Sequence, residues 1–220
     1  SVISTGIGPD NIDIVINELD ALAHIDLKTK EIKAIGRTLN IVRIGTSGSV
    51  QADIPVDSFV ISEKSIGCDG VLRFYANNES VCDHPFEEAF IRHCRWTPSA
   101  ARPYVVNADP GLVDRLYDEE HTIKGVTLTA VGFYGPQGRV LRLPLAMPGI
   151  NDRITAFRYE GYKVTNYEME SAAITGLCNL LGHRAATICL IIANRINGDA
   201  SADYHSYMNK LIRYTLEKLS

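Results

Sequence analysis

The feature that most constrains the fold is an apolar run at residues 185–193, AATICLIIA, which Asn194 and Arg195 close. Its β-branched side chains and lack of charge predict a buried strand. The run is far shorter than the roughly 20 residues that cross a bilayer, so we expect no membrane partner. A buried strand that carries Asn194 and Arg195 to the rim of a sheet suits a ligand-contacting pair, although a plain strand end explains them nearly as well.

Strand and helix patterns alternate along the chain. Strand-like runs occupy residues 39–44, 58–61, 71–74, 104–107, 126–131 and 186–193. Helical spacing of apolar residues follows Pro9, with Asp10 or Asn11 placed to cap the first turn, and recurs at 112–116, 152–159, 170–181 and 204–219. This alternation predicts an α/β fold whose sheet has helices on its faces.

The chain is expected to form one domain, residues 1–220. Its 220 residues, 45% of them hydrophobic, can bury a sizeable core, and no repeat or long linker divides them. Residues 1–6 look like the end of a strand running into a glycine turn, with nothing before it. We therefore expect a domain that is incomplete at its amino end.

Charge and cysteine usage exclude several functions. The 22 basic and 26 acidic residues leave no excess positive charge for a nucleic-acid backbone. The five cysteines lack CxxC spacing, the six histidines lack HExxH or another metal-binding spacing, and no serine lies in GxSxG. We expect a cytoplasmic protein with no metal site and no catalytic triad.

The segment RIGTSG, residues 43–48, is a candidate anion site. Its backbone N–H groups, the hydroxyls of Thr46 and Ser47 and the guanidinium of Arg43 could all donate to one phosphate. The alternative, at about even odds, is a tight turn in which Gly45 and Gly48 merely permit positive φ.

The loop FYGPQGR, residues 133–139, is a candidate base-binding site. The ring of Phe133 offers a stacking face, while the amide of Gln137 and the guanidinium of Arg139 offer planar hydrogen-bonding groups. Taken by itself, the loop is more often an ordinary turn with exposed polar tips.

Two carboxylates stand two residues apart in NYEMES, residues 166–171, just before an apolar helix. Glu168 and Glu170 share a face if the chain is extended there, and could then accept hydrogen bonds from ribose hydroxyls. In a helix they would not converge. The alternative is that they stabilise the positive end of the helix, a role that fits Glu168 better than Glu170.

These motifs in this order, with STGIG at residues 4–8 and ANR at 193–195, resemble the motif series of the uridine phosphorylases. The resemblance implies a three-layer α/β sandwich with a mixed, distorted central sheet. It also implies phosphorolysis of uridine to uracil and ribose 1-phosphate, in pyrimidine salvage. Phosphate would be a co-substrate, no cofactor would be needed, and the protein would be a homo-oligomer, a dimer or a hexamer.

The resemblance also implies roles for single residues. Phosphate would be bound by Arg43, Gly45 and Thr46, and ribose by Glu168, Met169 and Glu170. Base binding is implied for Phe133, Gln137, Arg139 and Arg195, and for Thr46, Ser47 and Gly48. Arg43, Gln137, Arg139 and Glu170 would be the catalytic residues.

Some features depart from the family pattern. The family has an earlier glycine-rich segment with a further phosphate-binding arginine, and residues 9–11 do not match the cation site of some members. Purine phosphorylases of the same superfamily carry an aspartate where this chain has Asn194. The alternatives are a phosphorylase or hydrolase for a purine or methylthioadenosine nucleoside, and a nucleoside-binding module without turnover.

Overall fold

A computed structural model describes residues 1–220. The helices are α1 (Pro9–His24), α2 (His84–Cys94), α3 (Pro110–Leu116), α4 (Ile150–Ala156), α5 (Ser171–Leu180) and α6 (Tyr204–Leu219). The strands are β1 (Ile25–Asp26), β2 (Glu31–Ile32), β3 (Asn40–Ser49), β4 (Phe59–Gly67), β5 (Tyr104–Asn107), β6 (Thr122–Thr129), β7 (Arg158–Tyr159), β8 (Tyr162–Glu168), β9 (Arg184–Asn194) and β10 (Asp199–Ala200). Short 3-10 helices occupy Val71–Phe74, Asn78–Val81 and Gly135–Gln137. No helix has the length and apolar character that a membrane span requires.

The central sheet is mixed and closes partly on itself. Its strand order is β10-β9-β3-β8-β6-β4-β5, and β9 also pairs with β4. Neighbours β3 and β9, β6 and β8, and β4 and β6 are parallel, whereas β3 with β8 and β4 with β9 are antiparallel. The β4–β9 pairing joins five strands into a distorted barrel, which confirms the mixed, distorted sheet expected from the sequence.

Strand β9 is the buried centre of this sheet, as its apolar run predicts. Ala185 packs in the cluster formed with α1 and α5, whereas Ala186, Ile188 and Leu190 pack in the cluster formed with α3 and α6. Alternate side chains of one strand thus face opposite helix layers. Both faces of β9 must therefore be apolar. The three-layer sandwich that the family resemblance implies is confirmed.

Most of the predicted elements are present, with shifted ends. The strands at 104–107 and 186–193 and the helix at 204–219 are confirmed, whereas the predicted helix at 152–159 ends at Ala156 and is followed by β7. Helix α1 is capped by Gly8 without a side-chain hydrogen bond, so neither Asp10 nor Asn11 is its cap. Residues 1–6 form no strand.

One predicted strand is wrong, and one helix was not predicted. The run at 71–74 is a 3-10 helix, because Gly70 is left-handed and the Asp69 carboxylate accepts the Val71 N–H at 2.8 Å, which starts a turn. Helix α2 was missed. Its cap is Asp83, whose side chain accepts the Phe86 N–H at 3.2 Å, and a proline occupies its first turn.

The buried position of β9 predicts a large cost for truncating its side chains. Ile188 is fully buried, and its replacement in Ile188→Ala should lower the free energy of unfolding by about 2 to 5 kcal/mol through lost burial and the cavity left behind. Ile14 on α1 is 57% exposed, so the same substitution there should change it by less than about 0.5 kcal/mol. Urea unfolding of both variants measures the contrast, and equal losses would contradict the central placement of β9.

Candidate active site

The candidate site lies where β3 and β8 separate. These strands pair only at Gly48 with Tyr167 and at Ser49 with Asn166. Beyond those pairs, Arg43 on β3 faces the end of β8 and the first residues before α5. The structure therefore brings together two motifs that are more than a hundred residues apart in the chain.

Arg43 is held between two carboxylates. Its Nη2 donates to Oε2 of Glu170 in a short hydrogen bond, and its Nη1 lies 3.2 Å from Oε2 of Glu168 and 3.2 Å from Sγ of Cys189. Burial lowers the pKa of Arg43, but the two carboxylate charges outweigh it and hold the pKa above its ordinary value. Burial raises the pKa of Cys189 to about 11, so this neighbour is a neutral thiol at pH 7.

Gly45 makes room for this arginine. A Cβ at Gly45 would lie 2.5 Å from Nη1 of Arg43 and 2.6 Å from its Cζ. Neither Gly45 nor Gly48 has a positive φ, and β3 continues through both as far as Ser49. The interpretation of RIGTSG as a tight turn is therefore wrong, since its glycines provide space rather than unusual backbone angles.

Glu168 is fixed entirely by the protein. Its Oε1 accepts the hydroxyl of Thr129 at 2.5 Å, and its Oε2 accepts the backbone N–H groups of Glu170 at 2.8 Å and Ser171 at 2.9 Å. The side chain is 1% exposed. Glu168 thus stabilises the amino end of α5, which is the alternative that the sequence left open for this residue.

Glu170 faces Arg43 from the other side and has a second partner. Its Oε1 accepts the backbone N–H of Gly8 at 2.7 Å. Burial raises its pKa, Arg43 lowers it and the charge of Glu168 raises it, which leaves the pKa above the ordinary value. Glu168 and Glu170 therefore converge on one guanidinium, because α5 begins only at Ser171.

A second polar cluster lies at the base-binding loop. The Oε1 of Gln137 accepts hydrogen bonds from Nη1 of Arg139 at 2.6 Å and from Nη2 of Arg195, and Nη1 of Arg195 also donates to the Gln137 backbone oxygen at 3.1 Å. Gln137 is 3% exposed. The structure thus joins the loop of residues 133–139 to the end of β9.

Aromatic rings support both guanidinium groups. The Cζ of Arg139 lies 3.9 Å from the ring centre of Phe133, and that of Arg195 lies 4.5 Å from the ring centre of Tyr167. Burial and then the charge of Arg139 lower the pKa of Arg195 to about 10, which still leaves it charged at neutral pH. No carboxylate is hydrogen-bonded to either group, so this cluster carries uncompensated positive charge.

Gly48 lies beside Arg195, although less closely than Gly45 lies beside Arg43. A Cβ at Gly48 would lie 3.3 Å from Nε of Arg195. Of the other predicted residues, Ser47 is buried and accepts from the Asn166 amide at 2.9 Å, whereas Thr46 and Met169 are half-buried. Phe133 is 53% exposed.

Asn194 is not available for a ligand. Its amide nitrogen donates to the backbone oxygens of Gln51 and Ile54 at 2.9 and 2.8 Å, and its amide oxygen accepts the N–H groups of Ile196 and Asn197. The side chain is buried and all four of these contacts are with the backbone. It shapes the turns beside the site, while Arg195 alone of the pair reaches the base loop.

One cluster has the composition of a metal site. Donor atoms of Asp20, His24 and His183 lie within 4.8 Å of one another. However, Nδ1 of His183 accepts the Leu39 N–H at 3.3 Å, so in the neutral ring Nε2 carries the proton, and it lies 3.2 Å from Asp20. These contacts join the end of α1 to the residue before β9.

A cavity of about 570 Å³ adjoins the base loop. It is lined mainly by apolar side chains of residues 141–147, and it reaches the polar clusters only through Arg139 and the neighbouring Tyr134. Apart from Arg139, the residues of the two polar clusters lie outside it.

The sequence missed three contributors to the site. Thr129 lies on β6, Tyr167 in the middle of the NYEMES motif, and Gly8 before α1. Thr129 and Tyr167 act on partners distant in sequence, so no residue-type pattern marks their roles. Gly8 belongs to the STGIG segment, but its contact with Glu170 is made by the backbone N–H, which no side-chain type reveals.

The fold and the site together define a class of protein. A mixed sheet closed partly into a barrel lies between helix layers and carries at one opening an arginine with two carboxylates and, nearby, an amide with two arginines. The family model of the phosphorylase superfamily matches residues 1–215. The chain belongs to that superfamily.

Individual relatives are similar over most of this chain. The uridine phosphorylase of Thermococcus kodakarensis is 27% identical over 205 residues, which are 90% of this chain and 59% of that protein. An inactive uridine phosphorylase B of Schistosoma mansoni is 36% identical over 87 residues, 35% of this chain and 26% of that protein. A Trypanosoma brucei nucleoside phosphorylase, whose crystal structure is described as showing uridine phosphorylase activity, has a TM-score of 0.85 and 26% identity, covering 99% of this chain and 79% of that one.

The matched part of the chain spans about three fifths of the length of the curated relatives: 59% of the Thermococcus kodakarensis protein and 64% of a uridine phosphorylase of Haemophilus influenzae.

The close approach of the Arg43 guanidinium to Gly45 predicts that a larger residue at position 45 disturbs Arg43 more than it disturbs the fold. In Gly45→Ala the new methyl group displaces the Arg43 guanidinium, which is the flexible end of its side chain, so the free energy of unfolding should fall by only about 1 to 3 kcal/mol. Phosphate binding by Arg43, which the family resemblance implies, predicts a rise in Tm on adding phosphate, and Gly45→Ala should lose this shift. Gly111→Ala in α3, remote from Arg43, is the control and should keep the shift. An undiminished shift in Gly45→Ala would show that Arg43 does not hold phosphate.

Proposed function

We propose that this chain carries the active site of a uridine phosphorylase, which cleaves uridine with inorganic phosphate to give uracil and ribose 1-phosphate. The observation that carries the proposal is the Gln137 carboxamide held between Arg139 and Arg195. A carboxamide has a donor and an acceptor that match the imide edge of a pyrimidine, and a guanidinium has donors for its carbonyl oxygens. Here Oε1 of Gln137 already accepts from both guanidinium groups, so an imide N–H would replace one of these bonds and free that guanidinium for a base oxygen. The exposed ring of Phe133 offers a stacking face beside them.

Phosphate is proposed to bind at Arg43 and Thr46. The guanidinium of Arg43 presents a planar fork of donors that matches phosphate oxygens. Gly45 contributes by leaving room for that guanidinium to lie against the strand.

Ribose is proposed to lie between the two clusters, beside Met169 and Glu170. Each carboxylate oxygen has two lone pairs, and Glu170 uses one on Gly8 and one on Arg43. The remaining acceptor capacity suits the vicinal hydroxyls of a ribose. Met169, half-buried next to it, offers an apolar contact to the sugar ring.

The chemistry is a direct displacement at the anomeric carbon. Phosphate held by Arg43 attacks as the glycosidic bond lengthens, with oxocarbenium character on the sugar. The electron pair of that bond passes to the departing uracil. The negative charge of the uracil is stabilised by the uncompensated positive charges of Arg139 and Arg195, which lie on either side of Gln137. Positioning and electrostatic stabilisation supply the rate enhancement, and the enzyme forms no covalent intermediate.

A pyrimidine substrate is favoured over a purine by the state of Asn194. A purine leaving group needs an acid to protonate its imidazole nitrogen. The purine enzymes of the superfamily carry an aspartate at the position of Asn194. Here the residue is an amide whose donors and acceptor are all used by backbone groups. The proposal extends to a cytoplasmic homo-oligomer, a dimer or a hexamer, acting in pyrimidine salvage.

The direct test is loss of uridine absorbance in phosphate buffer against a phosphate-free control, with ribose 1-phosphate as the second product to be measured. Phosphate-dependent cleavage of uridine, with inosine and methylthioadenosine left intact, is the expected result. Cleavage of a purine nucleoside instead would replace the substrate. Uracil binding without cleavage would make the chain a binding module.

Arg139 should be needed for turnover but not for folding. Arg139→Ala removes one donor to the departing base, and by analogy with oxyanion-hole donors the kcat on uridine should fall about 100- to 1000-fold. Arg142→Ala in the same loop is the matched control, because Arg142 is exposed and should leave kcat unchanged. A full rate in Arg139→Ala would remove this residue from the site.

Glu170→Gln should weaken ribose recognition and alter the acid side of the pH profile. The ionised carboxylate is the required acceptor, and its pKa is raised, so wild-type activity should fall as pH drops through a value above that of an ordinary glutamate. The variant should bind uridine more weakly but free uracil equally well, and should lose this acid limb. Binding titrations with both ligands and kcat/KM against pH measure this, and equal losses for uridine and uracil would contradict a ribose role.

A further inference from the structure

Two buried side chains, Thr129 and Glu168, connect the sheet to Arg43 and Glu170, the residues proposed to bind phosphate and ribose. Thr129, at the end of β6, is fully buried and donates its hydroxyl proton to Oε1 of Glu168 at 2.5 Å. The same hydroxyl oxygen accepts the backbone N–H of Ala172 at 2.9 Å. The Thr129 hydroxyl therefore provides a hydrogen-bond donor to the carboxylate of Glu168 and a hydrogen-bond acceptor to the first turn of α5.

Glu168 passes this constraint on to Arg43 and Glu170. Its other oxygen lies 3.2 Å from Nη1 of Arg43 and accepts the N–H of Glu170 at 2.8 Å. It therefore orients the guanidinium by charge and fixes the backbone from which the Glu170 carboxylate extends. Both oxygens of Glu168 are occupied by protein groups, which leaves it poorly placed to hold a sugar hydroxyl.

The burial of this carboxylate makes its hydrogen bonds matter. An ionised group that is 1% exposed is stable only when its oxygens are satisfied. Thr129 is the donor to Oε1. Without that hydroxyl, Glu168 must turn towards another partner, and its hold on Arg43 changes.

We propose that Thr129 and Glu168 act as a positioning pair that sets the orientation of Arg43, and through it the affinity of the site for phosphate. The second part of this inference rests on the proposed function, because it takes Arg43 as the phosphate ligand. Neither Thr129 nor Glu168 touches a substrate. Both act through Arg43 and the start of α5.

The chain offers a matched control for Thr129. Thr127 lies two residues earlier on β6, is also fully buried, and uses its hydroxyl on Ser62 at 2.6 Å and Asn166 at 3.0 Å. Thr127→Val and Thr129→Val thus delete the same group from the same face of the same strand. Thr129→Ser retains the hydroxyl and serves as the rescue variant.

The first measurement is independent of any ligand. The side-chain N–H signal of Arg43 in ¹⁵N NMR spectra, assigned by its absence in Arg43→Lys, should resist solvent exchange in the wild type, Thr127→Val and Thr129→Ser. It should exchange at least about tenfold faster in Thr129→Val, in keeping with the loss of a charge-assisted hydrogen bond. An unchanged exchange rate in Thr129→Val would overturn the positioning pair.

The second measurement is the phosphate concentration at half-maximal rate with uridine. We expect an increase of about tenfold or more in Thr129→Val, a value near wild type in Thr129→Ser, and no change in Thr127→Val. Equal increases in both valine variants would reduce Thr129 to a structural role and overturn the proposal. If no protein cleaves uridine but Arg43 exchange still rises only in Thr129→Val, the positioning of Arg43 holds and the proposed function fails.

Discussion

The structure depends on one electrostatic constraint: two buried carboxylates share a single guanidinium at the amino end of α5. Removing such charges from water is costly unless each is paired and hydrogen-bonded. Glu168 meets this requirement with backbone N–H groups of α5 and the hydroxyl of Thr129, and Glu170 meets it with Gly8. Arg43 completes the set. Strands β3, β6 and β8 and the turn before α1 must all be in place for this cluster to exist, so the fold and the site are specified together.

The base-side cluster has the opposite electrostatic character. Arg139 and Arg195 share the Gln137 oxygen and rest on aromatic rings, and no carboxylate is hydrogen-bonded to them. Aromatic faces attract a guanidinium without neutralising its charge. The site therefore has one end where positive charge is matched by carboxylates and another where it is free to meet developing negative charge. In the proposed function this asymmetry suits a displacement whose leaving group is an anionic base.

The sequence predicts the elements better than it predicts the contacts between them. The apolar run of β9 and the periodicity of α6 are strong local signals, and both are confirmed. Residues 71–74 look like a strand locally, but the Asp69 side chain and Gly70 impose a turn. The motifs carrying Arg43, Gln137 and Glu170 were recognisable by residue type. The role of Thr129 was not, because its partner Glu168 is 39 positions away and only the parallel pairing of β6 with β8 brings them together.

The glycines of RIGTSG mark a candidate site in the sequence, but their role in the structure differs from the one that the sequence pattern suggests. Local propensity suggests a turn, yet both glycines lie in a regular strand, and an arginine side chain lies beside each, Arg43 from the same strand and Arg195 from the end of β9. Gly45 accommodates Arg43 and Gly48 accommodates Arg195. In the proposed function these two arginines serve the phosphate and the base, so a single strand sets the distance between the attacking group and the leaving group. Arg43 is hydrogen-bonded to Glu170 in the structure. In the proposed function this contact joins the phosphate-binding guanidinium to the ribose-binding carboxylate, so the binding of the two proposed substrates is coupled through it.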